Sequence, residues 1–420
     1  MAQNKFTTHH GMVDILPDEV AKWQYLEKLI REVARSFHFE EVRTPIMEQT
    51  ELIARGIGAL TDIVSKEMFA FSRGEDNYVL RPEGTAPVSR AYIEHSLQQR
   101  GGTQNLFYIG PMFRAERPQK GRQRQFHQFG AELIGSASPL ADAEIIAFMM
   151  EVYRRIGVKN MVLKINSVGD PESRANYKTV LQEYLRPFYD QLSEVSQTRF
   201  DKNPMRILDS KEVQDQEIVK NAPLITDYLN EDCSTHFEAV KSHLTNLGIT
   251  FIVDPRLVRG LDYYTKTAFE LTSPDLGSQD ALGAGGRYDL LIEELGGKQT
   301  PAVGFAAGME RLLIVCEELG ISLAEPDPLD LYLICRGEEA QNWAMKNLSS
   351  FRNLGISCTM DLSGKSMKAQ MKDADRKKSK WALFIAEEEL ESGLFTLRNM
   401  TDSSEEKKSL PDLLSHFQTI

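Results

Sequence analysis

The spacing of hydrophobic residues predicts helices in two separate parts of the chain. Near the start, four apolar residues recur at three- and four-residue steps, as on one face of a helix: Trp23, Leu26, Ile30 and Val33. From about residue 170 to 245 helical spacing returns, with Pro187 inside one run, where we expect a kink or a break. Because little in this second region is typical of a catalytic segment, we interpret it as a helical insertion.

Between and after these regions the pattern favours strands. An extended stretch at 39–47 carries Pro45, which belongs at a strand end, an edge or an interface. Two β-type runs at 105–113 and 125–134 flank a polar loop that contains Gly121, and this layout favours a long antiparallel hairpin. Further strand-like segments lie at 78–80, 250–253 and 263–271, a glycine-rich turn is expected at 282–288, and a strand-to-helix step at 303–318.

The end of the chain alternates strand and helix patterns, which predicts a small α/β domain. The alternating segments are 331–335, 338–353, 356–362, 364–377 and 381–385. Before them, Pro326 and Pro328 stand among acidic residues in what we interpret as a linker. The predicted organisation is a domain at 1–325 that holds the insertion at about 170–245, a linker at 326–330 and a domain at 331–420.

Composition restricts the partners. The 420 residues are too many for one average domain, and a hydrophobic share of 41% is ordinary for globular proteins. The net charge of -12 argues against a generic nucleic-acid coat protein, although a local basic patch is compatible with it. The four cysteines are scattered, which gives neither a zinc site nor a disulfide framework and suits a reducing compartment. With no secretory signal and no apolar stretch near the ~20 residues that span a bilayer, we expect a cytoplasmic protein with no membrane partner.

The predicted hairpin carries the densest candidate chemistry. Side chains alternate along a strand, so Gln128, Gly130 and Glu132 share one face, where the glycine would leave a floor for a ligand. Arg114, near the end of the partner strand, is expected to point toward the same region. An arginine beside a carboxylate and an amide suits a phosphate and an ammonium group. A solvated sheet face with a cross-strand Arg–Glu pair explains the hairpin alone equally well.

Shorter segments add further candidates. RPEGTAP places Glu83 and Thr85 just after a strand, where loops often hold ligand groups, although Glu83 would serve equally as a surface or capping residue. In VRGLDYYTKTAFEL, Arg259 precedes Tyr263 and Tyr264 at a strand start. Because consecutive strand residues face opposite ways, at most one tyrosine should line a given pocket wall. Ordinary core packing is the commoner role of tyrosine.

Two glycine-containing segments lie near the end of the first domain. LGAGGRY could admit a nucleotide through close backbone approach, but it lacks the context of a dinucleotide fingerprint and the lysine of a P-loop. In AVGFAAGMERLL, Arg311 follows small residues where a strand passes into a helix. This arginine would bind a terminal phosphate or form a structural salt bridge.

Taken together and in this order, these segments resemble the three motifs of class II aminoacyl-tRNA synthetases. The Pro45 segment is similar to the first motif, a dimer-interface helix and strand; FRAERPQKGRQRQFHQFGAELIG is similar to the second, and GFAAGMERLL to the third. LVRGLDYYTKTAFE and ALGAGGRYDLLIEELGG resemble the histidine-specific motifs of histidyl-tRNA synthetases, as do HHGMVDILP and RPEGTAP. Three motifs in order are far more specific than any one of them.

The resemblance implies an α+β fold. Its parts would be a class II catalytic domain built on an antiparallel sheet with flanking helices, a helical insertion, and a C-terminal α/β anticodon-binding domain. The implied reaction activates L-histidine with ATP to histidyl-adenylate and pyrophosphate, and then transfers histidine to the 3' end of its tRNA. The family also implies Mg²⁺ on the outer phosphates, no metal ligands from the protein by motif, and a homodimer.

Carried across residue by residue, the resemblance assigns two sets of side chains. Histidine would be bound by carboxylates that take its α-ammonium group and by tyrosines that recognise the imidazole, within the set Glu83, Thr85, Gln128, Glu132, Tyr263, Tyr264 and Tyr288. ATP would be bound by Arg114 and Arg259 at the α-phosphate, Arg311 at the γ-phosphate and Glu116 near the adenine. Arg259 and Arg114 are the implied catalytic residues, because negative charge develops at that α-phosphate.

Two basic clusters are candidate tRNA contacts. One is the polar loop of the hairpin, with Arg117, Gln119, Lys120 and Arg122. The other is a helical stripe in the tail, with Lys365, Lys368 and Lys372 on one side and Met367, Met371 and Ala374 on the other. The stripe is equally typical of a solvated surface helix, and only the resemblance favours tRNA.

The main alternative is the non-catalytic regulatory subunit of ATP phosphoribosyltransferase, which resembles a synthetase core. Its relatives generally lack the tail domain and vary at active-site positions. This chain has the tail domain, and it keeps the active-site residues Arg114, Glu132, Arg259, Tyr264 and Arg311. A second alternative is an adenylating enzyme with another acceptor, against which the basic clusters argue weakly. A plain RNA-binding module leaves the pocket residues unexplained and fits the acidic balance poorly.

Overall fold

The computed structural model describes residues 6–58, 61, 63–258 and 261–418. The chain divides into two compact units, Met1–Ala324 and Glu325–Ile420. Within the described ranges, no helix has the length and apolar character needed to cross a membrane.

The first unit contains ten helices and eleven strands within its described residues. The helices are α1 Pro17–Ser36, α2 Thr50–Ile57, α3 Thr85–Glu94, α4 Pro139–Ile156, α5 Pro171–Leu185, α6 Glu194–Lys202, α7 Val213–Val219, α8 Glu231–Asn246, α9 Leu291–Glu294 and α10 Met309–Glu318. The strands are β1 Glu40–Glu41, β2 Met47–Gln49, β3 Phe69–Arg73, β4 Asp76–Leu80, β5 Gln104–Phe113, β6 Gln125–Ile134, β7 Val162–Ser167, β8 Phe251–Val253, β9 Thr265–Thr272, β10 Ala281–Arg287 and β11 Ala302–Gly308.

Eight of these strands form the main sheet, in the order β1-β5-β6-β11-β10-β9-β7-β8. The pairs are antiparallel except at the two outer edges, where β1–β5 and β7–β8 are parallel. The predicted hairpin is confirmed as β5 and β6, joined in continuous register from Gln104 opposite Ile134 to Phe113 opposite Gln125. A separate three-stranded sheet has the order β2-β4-β3, and Pro45 lies just before β2, at a strand end as predicted.

Alternation along β6 separates the two faces of the main sheet. Phe129 and Ala131 point into a core shared with α1, α4 and α8, where Phe148 of α4 packs edge-on against Phe305 of β11. Gln128, Gly130 and Glu132 occupy the opposite face, which a second apolar cluster surrounds. The core therefore fixes the position of the polar face without covering it.

Local signals explain where α4 starts and stops. Ser138 accepts a hydrogen bond from the Leu140 amide and Pro139 follows, so the first turn is capped by a side chain and pre-set by proline. Gly157 ends the helix with φ 103°, a left-handed conformation that glycine adopts without steric cost. The helix that carries the core under the sheet is thus delimited by its own sequence.

The helices α5 to α8 form the insertion between β7 and β8. The break predicted at Pro187 is confirmed, because α5 ends at Leu185 and a 3₁₀ segment continues over Arg186–Gln191. Residues such as Tyr177 and Leu181 build a separate apolar cluster within this insertion.

The second unit contains four helices and five strands among its described residues. They are β12 Leu331–Cys335, α11 Glu338–Asn353, β13 Cys358–Met360, α12 Met367–Arg376, β14 Trp381–Ile385, α13 Glu387–Ser392, β15 Leu394–Asn399, β16 Glu405–Ser409 and α14 Leu410–Gln418. The sheet order is β13-β12-β14-β15-β16, with the first three strands parallel and the last two antiparallel. The predicted alternation is confirmed up to β14. The closing hairpin was missed because β16 is an edge strand of charged residues without apolar alternation.

Candidate active site

Glu132 lies at the centre of a buried polar cluster on the open face of the main sheet. The residue is fully buried in β6 and stands in register with Gly304 of β11. A Cβ atom on Gly304 would lie 1.7 Å from Oε2 of Glu132, so the glycine is what leaves space for the carboxylate. Thr85 donates its hydroxyl to Oε1 at 2.7 Å, and Tyr288 donates its hydroxyl to Oε2. Burial raises the pKa of Glu132 to about 8, against the opposing effect of the two hydroxyl donors.

Glu83 joins this cluster from the N-terminus of α3. Its carboxylate accepts the backbone N–H of Thr85 at 2.6 Å and that of Ala86 at 2.8 Å, which caps the helix. The residue is buried, and burial raises its pKa, while Arg114 acts in the opposite direction. The capping role considered from the sequence is therefore present, at a position beside Glu132.

Tyr108 is a member of the cluster that the sequence analysis missed. It stands opposite Gly130 across the β5–β6 pair, and a Cβ atom on Gly130 would lie 2.4 Å from the Tyr108 hydroxyl. A Cβ atom on Gly84 would lie 2.2 Å from Cζ of the same ring. The prediction that Gly130 leaves a floor for a ligand is therefore wrong, because the aromatic ring of Tyr108 fills that space. The signal was the hairpin register, which places a tyrosine directly across from a glycine.

Tyr263 and Tyr264 both belong to the apolar cluster around this site. Their ring centroids lie 4.6 Å apart, and Tyr263 also meets Tyr288 at 5.7 Å. Both precede β9 and line separate cavities, so the expectation that at most one of the pair lines a given pocket wall stays a prediction. Gly286 makes room for Tyr264, since a Cβ atom there would lie 2.7 Å from the ring.

The glycine-rich segment around Gly286 is a strand and not the expected turn. Residues 281–287 form β10, between β9 and β11. Its glycines accommodate neighbouring protein side chains, with Met149 against Gly283 and Phe269 against Gly285. The sequence suggested that a nucleotide could approach the protein backbone closely here, but at these three glycines protein atoms occupy that space.

Three arginines form a positively charged group next to this cluster. Arg114 donates Nε–H to the Pro82 carbonyl at 2.9 Å, and its guanidinium lies 5.3 Å from the Phe126 ring centroid. Arg122 donates to Glu116 at 3.1 Å. Burial lowers the pKa of Arg311, and the nearby charge of Arg122 lowers it further, which places the two guanidinium groups close enough to repel.

The two groups meet at the Pro82–Glu83 turn. Arg114 contacts the turn through the Pro82 carbonyl and stabilises the charged form of Glu83. Gln128, on the same face as Glu132, keeps its Oε1 buried without a hydrogen-bond partner in the described part of the chain. Such an acceptor suits a ligand donor.

The comparisons with known proteins agree with this geometry. A family model described as histidyl-tRNA synthetase matches residues 11–312, and an anticodon binding domain model matches 330–420. A histidine–tRNA ligase of Chloroherpeton thalassium is 50% identical over 99% of this chain and 98% of its own length. The crystal structure of apo histidyl-tRNA synthetase from S. aureus has a TM-score of 0.84 and 39% identity, covering 98% of this chain and all of its own.

The chain belongs to the histidyl-tRNA synthetase family.

Most residues assigned by the family resemblance occupy the two groups described above. The carboxylates, Thr85, Gln128 and the tyrosines lie in or beside the buried cluster, and Glu116 lies with the arginines. Arg259 lies outside the described residues. Within the described ranges, no group of three or more His, Cys, Asp or Glu residues could hold a metal ion.

The predicted tRNA contacts of this synthetase-family chain are partly engaged in ion pairs. Lys120 pairs with Glu318 at 2.7 Å on the surface. Arg122 pairs with Glu116, which also lies 4.0 Å from Arg114. In the tail, the prediction that Lys365 lies on the helical stripe is wrong, because α12 begins at Met367; Lys365 lies before the helix and pairs with Asp373 at 2.6 Å. The other two lysines of the stripe, Lys368 and Lys372, are exposed, and the expected apolar seam of α12 is confirmed by Met367, Met371 and Ala374.

Proposed function

We propose that the chain is a histidine–tRNA ligase, which forms histidyl-adenylate and pyrophosphate from L-histidine and ATP and then transfers histidine to the 3' end of its tRNA. The observation that carries this proposal is the contact between two groups at the Pro82–Glu83 turn. A closed acidic and phenolic cluster lies on one side of the turn, and an arginine group lies on the other. This order of charges matches an amino acid joined to a nucleotide phosphate.

Histidine fits the buried cluster because its α-ammonium group needs acceptors and its imidazole needs both donors and acceptors. Glu83 and Glu132 supply carboxyl groups that a bound ammonium group would hold in their charged form, and the unpaired Oε1 of Gln128 supplies a neutral acceptor. Burial raises the pKa of Tyr263 and of Tyr288 well above its usual value, so the phenols stay protonated and can donate. A site built on such paired hydrogen bonds rejects analogues that lack the ring nitrogens.

ATP fits the arginine group. We assign Arg114 to the α-phosphate, where it faces the bound amino acid across the turn, and Arg311 to the γ-phosphate. Arg122 lies close to Arg311 and would add charge at the outer phosphates. Positive groups held in place before the reaction stabilise the charge that develops when the histidine carboxylate attacks the α-phosphorus. Arg259 is assigned to the same phosphate from the family pattern.

Mg²⁺ fits beside the outer phosphates. We assign the ion no side-chain ligand, as the family resemblance implies. When bound, Mg²⁺ would neutralise phosphate charge, and the ion would rely mainly on phosphate oxygens and water for its ligands. Its contribution is additional to that of the arginines.

The remaining assignments concern partners. We assign residues 1–325 to catalysis and 331–420 to the anticodon end of the tRNA, with the exposed Lys368 and Lys372 as phosphate contacts and the hairpin loop at the acceptor end. The segment around Pro45, with Ile46 and Met47 exposed beside it, is the proposed contact of a homodimer. The compartment is proposed to be the cytoplasm.

Histidine-dependent ATP–pyrophosphate exchange, with all amino acids tested in parallel, tests the first half-reaction. We expect exchange with histidine and, in a second assay, transfer to tRNA. Exchange with another amino acid would overturn the substrate. Absence of any exchange would favour the regulatory-subunit alternative.

A further inference from the structure

Arg81 is a buried arginine that lies behind the proposed active site and has no assigned role. It follows β4 directly and is 6% exposed. Its guanidinium occupies space that β5 leaves open at Gly110, where a Cβ atom would lie 2.5 Å from Nη2 of Arg81. A side chain at Gly110 would therefore displace the arginine, which ties the two positions together.

The guanidinium joins two separate parts of the fold. Nε donates to the Pro111 carbonyl of β5 at 3.0 Å. Nη1 donates to the Thr44 carbonyl at 2.9 Å and to the Thr44 hydroxyl at 2.8 Å. A backbone hydrogen bond joins Arg81 to the same segment, since the Arg81 amide donates to the Ile46 carbonyl at 2.9 Å. Arg81 thus fastens the Thr44–Met47 segment to the hairpin.

From Arg81 the chain runs directly into the site. The Arg81 carbonyl accepts the Phe113 amide at 3.0 Å, and the next carbonyl, that of Pro82, accepts Nε–H of Arg114 at 2.9 Å. Glu83 follows immediately. The placement of the acidic cluster and of the α-phosphate arginine therefore depends on a turn whose first residue is anchored to Thr44.

We propose that Arg81 is a positioning residue that transmits the placement of the Thr44–Met47 segment to Glu83 and Arg114. This inference rests on the proposed function. The bonds are made to carbonyl and hydroxyl oxygens, so the arginine acts as a fixed multi-point donor, and charge alone would not replace it. Since Ile46 and Met47 are each 45% exposed, the segment at the far end of this connection lies at the protein surface.

The test is steady-state pyrophosphate exchange on the full-length chain, with active sites counted by an adenylate burst. We expect Arg81→Met to raise KM for histidine about tenfold or more and to lower kcat per active site by about 100-fold, because small misplacements of reacting groups cost this much. KM for ATP should change less than about threefold, since Arg114 is assigned to the reacting α-phosphate and the outer phosphates have other cations.

Two milder variants keep the test informative if Arg81→Met does not fold. Thr44→Val removes one acceptor and keeps the carbonyl, and Arg81→Lys keeps the charge with a single donor group. Both should fall between the wild type and Arg81→Met in KM for histidine and in kcat per active site. The matched control is Arg154→Met, an exposed arginine of α4 paired with Glu151, which should leave both parameters unchanged.

The outcomes separate this inference from the proposed function. A wild-type chain without histidine-dependent exchange would overturn the function. If the wild type is active but Thr44→Val and Arg81→Lys match it within twofold in both parameters, the positioning role is wrong. A variant that loses only thermal stability, with normal KM and kcat per active site, would likewise assign Arg81 a purely structural role.

Discussion

Replacing Glu132 with glutamine should stabilise the empty protein at neutral pH while weakening histidine binding. The carboxylate is fully buried, and its desolvation raises its pKa from the ordinary 4.5 to about 8. A raised carboxyl pKa contributes stability that is fully present below the unfolded value and is lost as the pH rises toward the folded value. Glutamine keeps the shape and has no such loss.

The magnitude follows from the interval between the two pKa values. Each pH unit within it corresponds to about 1.4 kcal/mol, so the wild type loses about 3 kcal/mol between pH 4.5 and pH 7 and about 5 kcal/mol once the pH passes 8. The neighbouring charge of Glu83 acts in the same direction, since it also raises the pKa of Glu132. The stability gain of the variant over the wild type should therefore grow with pH across this window.

Urea unfolding of both proteins at several pH values from 5 to 9, without ligands, measures this difference. Any pH-independent cost of the new amide hydrogen bonds to Thr85 and Tyr288 shifts the difference in unfolding free energy by the same amount at every pH. The slope of that difference against pH is therefore unaffected. In parallel, KM for histidine should rise about 100-fold in the variant, because a carboxyl group that ionises beside the bound ammonium group is lost. A stability difference that is flat between pH 5 and 8 would refute the reasoning.

Three further substitutions test the packing around the site. Arg287→Met removes the guanidinium from buried Asp142, which keeps His236 at 3.4 Å, and should cost about 3–5 kcal/mol in urea unfolding, much of it recovered by adding Asp142→Leu; a loss below 1 kcal/mol would contradict this. Tyr108→Phe removes a buried hydroxyl that lies beside Thr85 and Glu132, so KM for histidine should rise while thermal stability changes little; the reverse pattern would exclude a binding role. Gly304→Ala places a Cβ atom where the buried carboxylate lies, and it should abolish exchange at a cost of about 1–3 kcal/mol in the free energy of unfolding; exchange at the wild-type rate would contradict this.

Local features of the sequence were enough for the elements that depend on neighbours along the chain. Ser138, Pro139 and Gly157 delimit α4, Pro187 ends the helix before it, and the alternation through Glu132 separates the two faces of β6. Each of these signals acts within a few residues. The order of the motifs also indicated the family, since motif order is itself a property of the sequence.

The tertiary structure decided which side chains share a space. The register of β5 against β6 sets Tyr108 in the gap at Gly130, and the register of β6 against β11 sets Glu132 in the gap at Gly304. Both pairings join residues that are not neighbours along the chain, and from the sequence alone Gly130 was expected to leave a floor for a ligand. The raised pKa of Glu132 and the connection through Arg81 have the same origin. Burial and long-range contacts are set by the whole fold, because they depend on which elements exclude water from a given group.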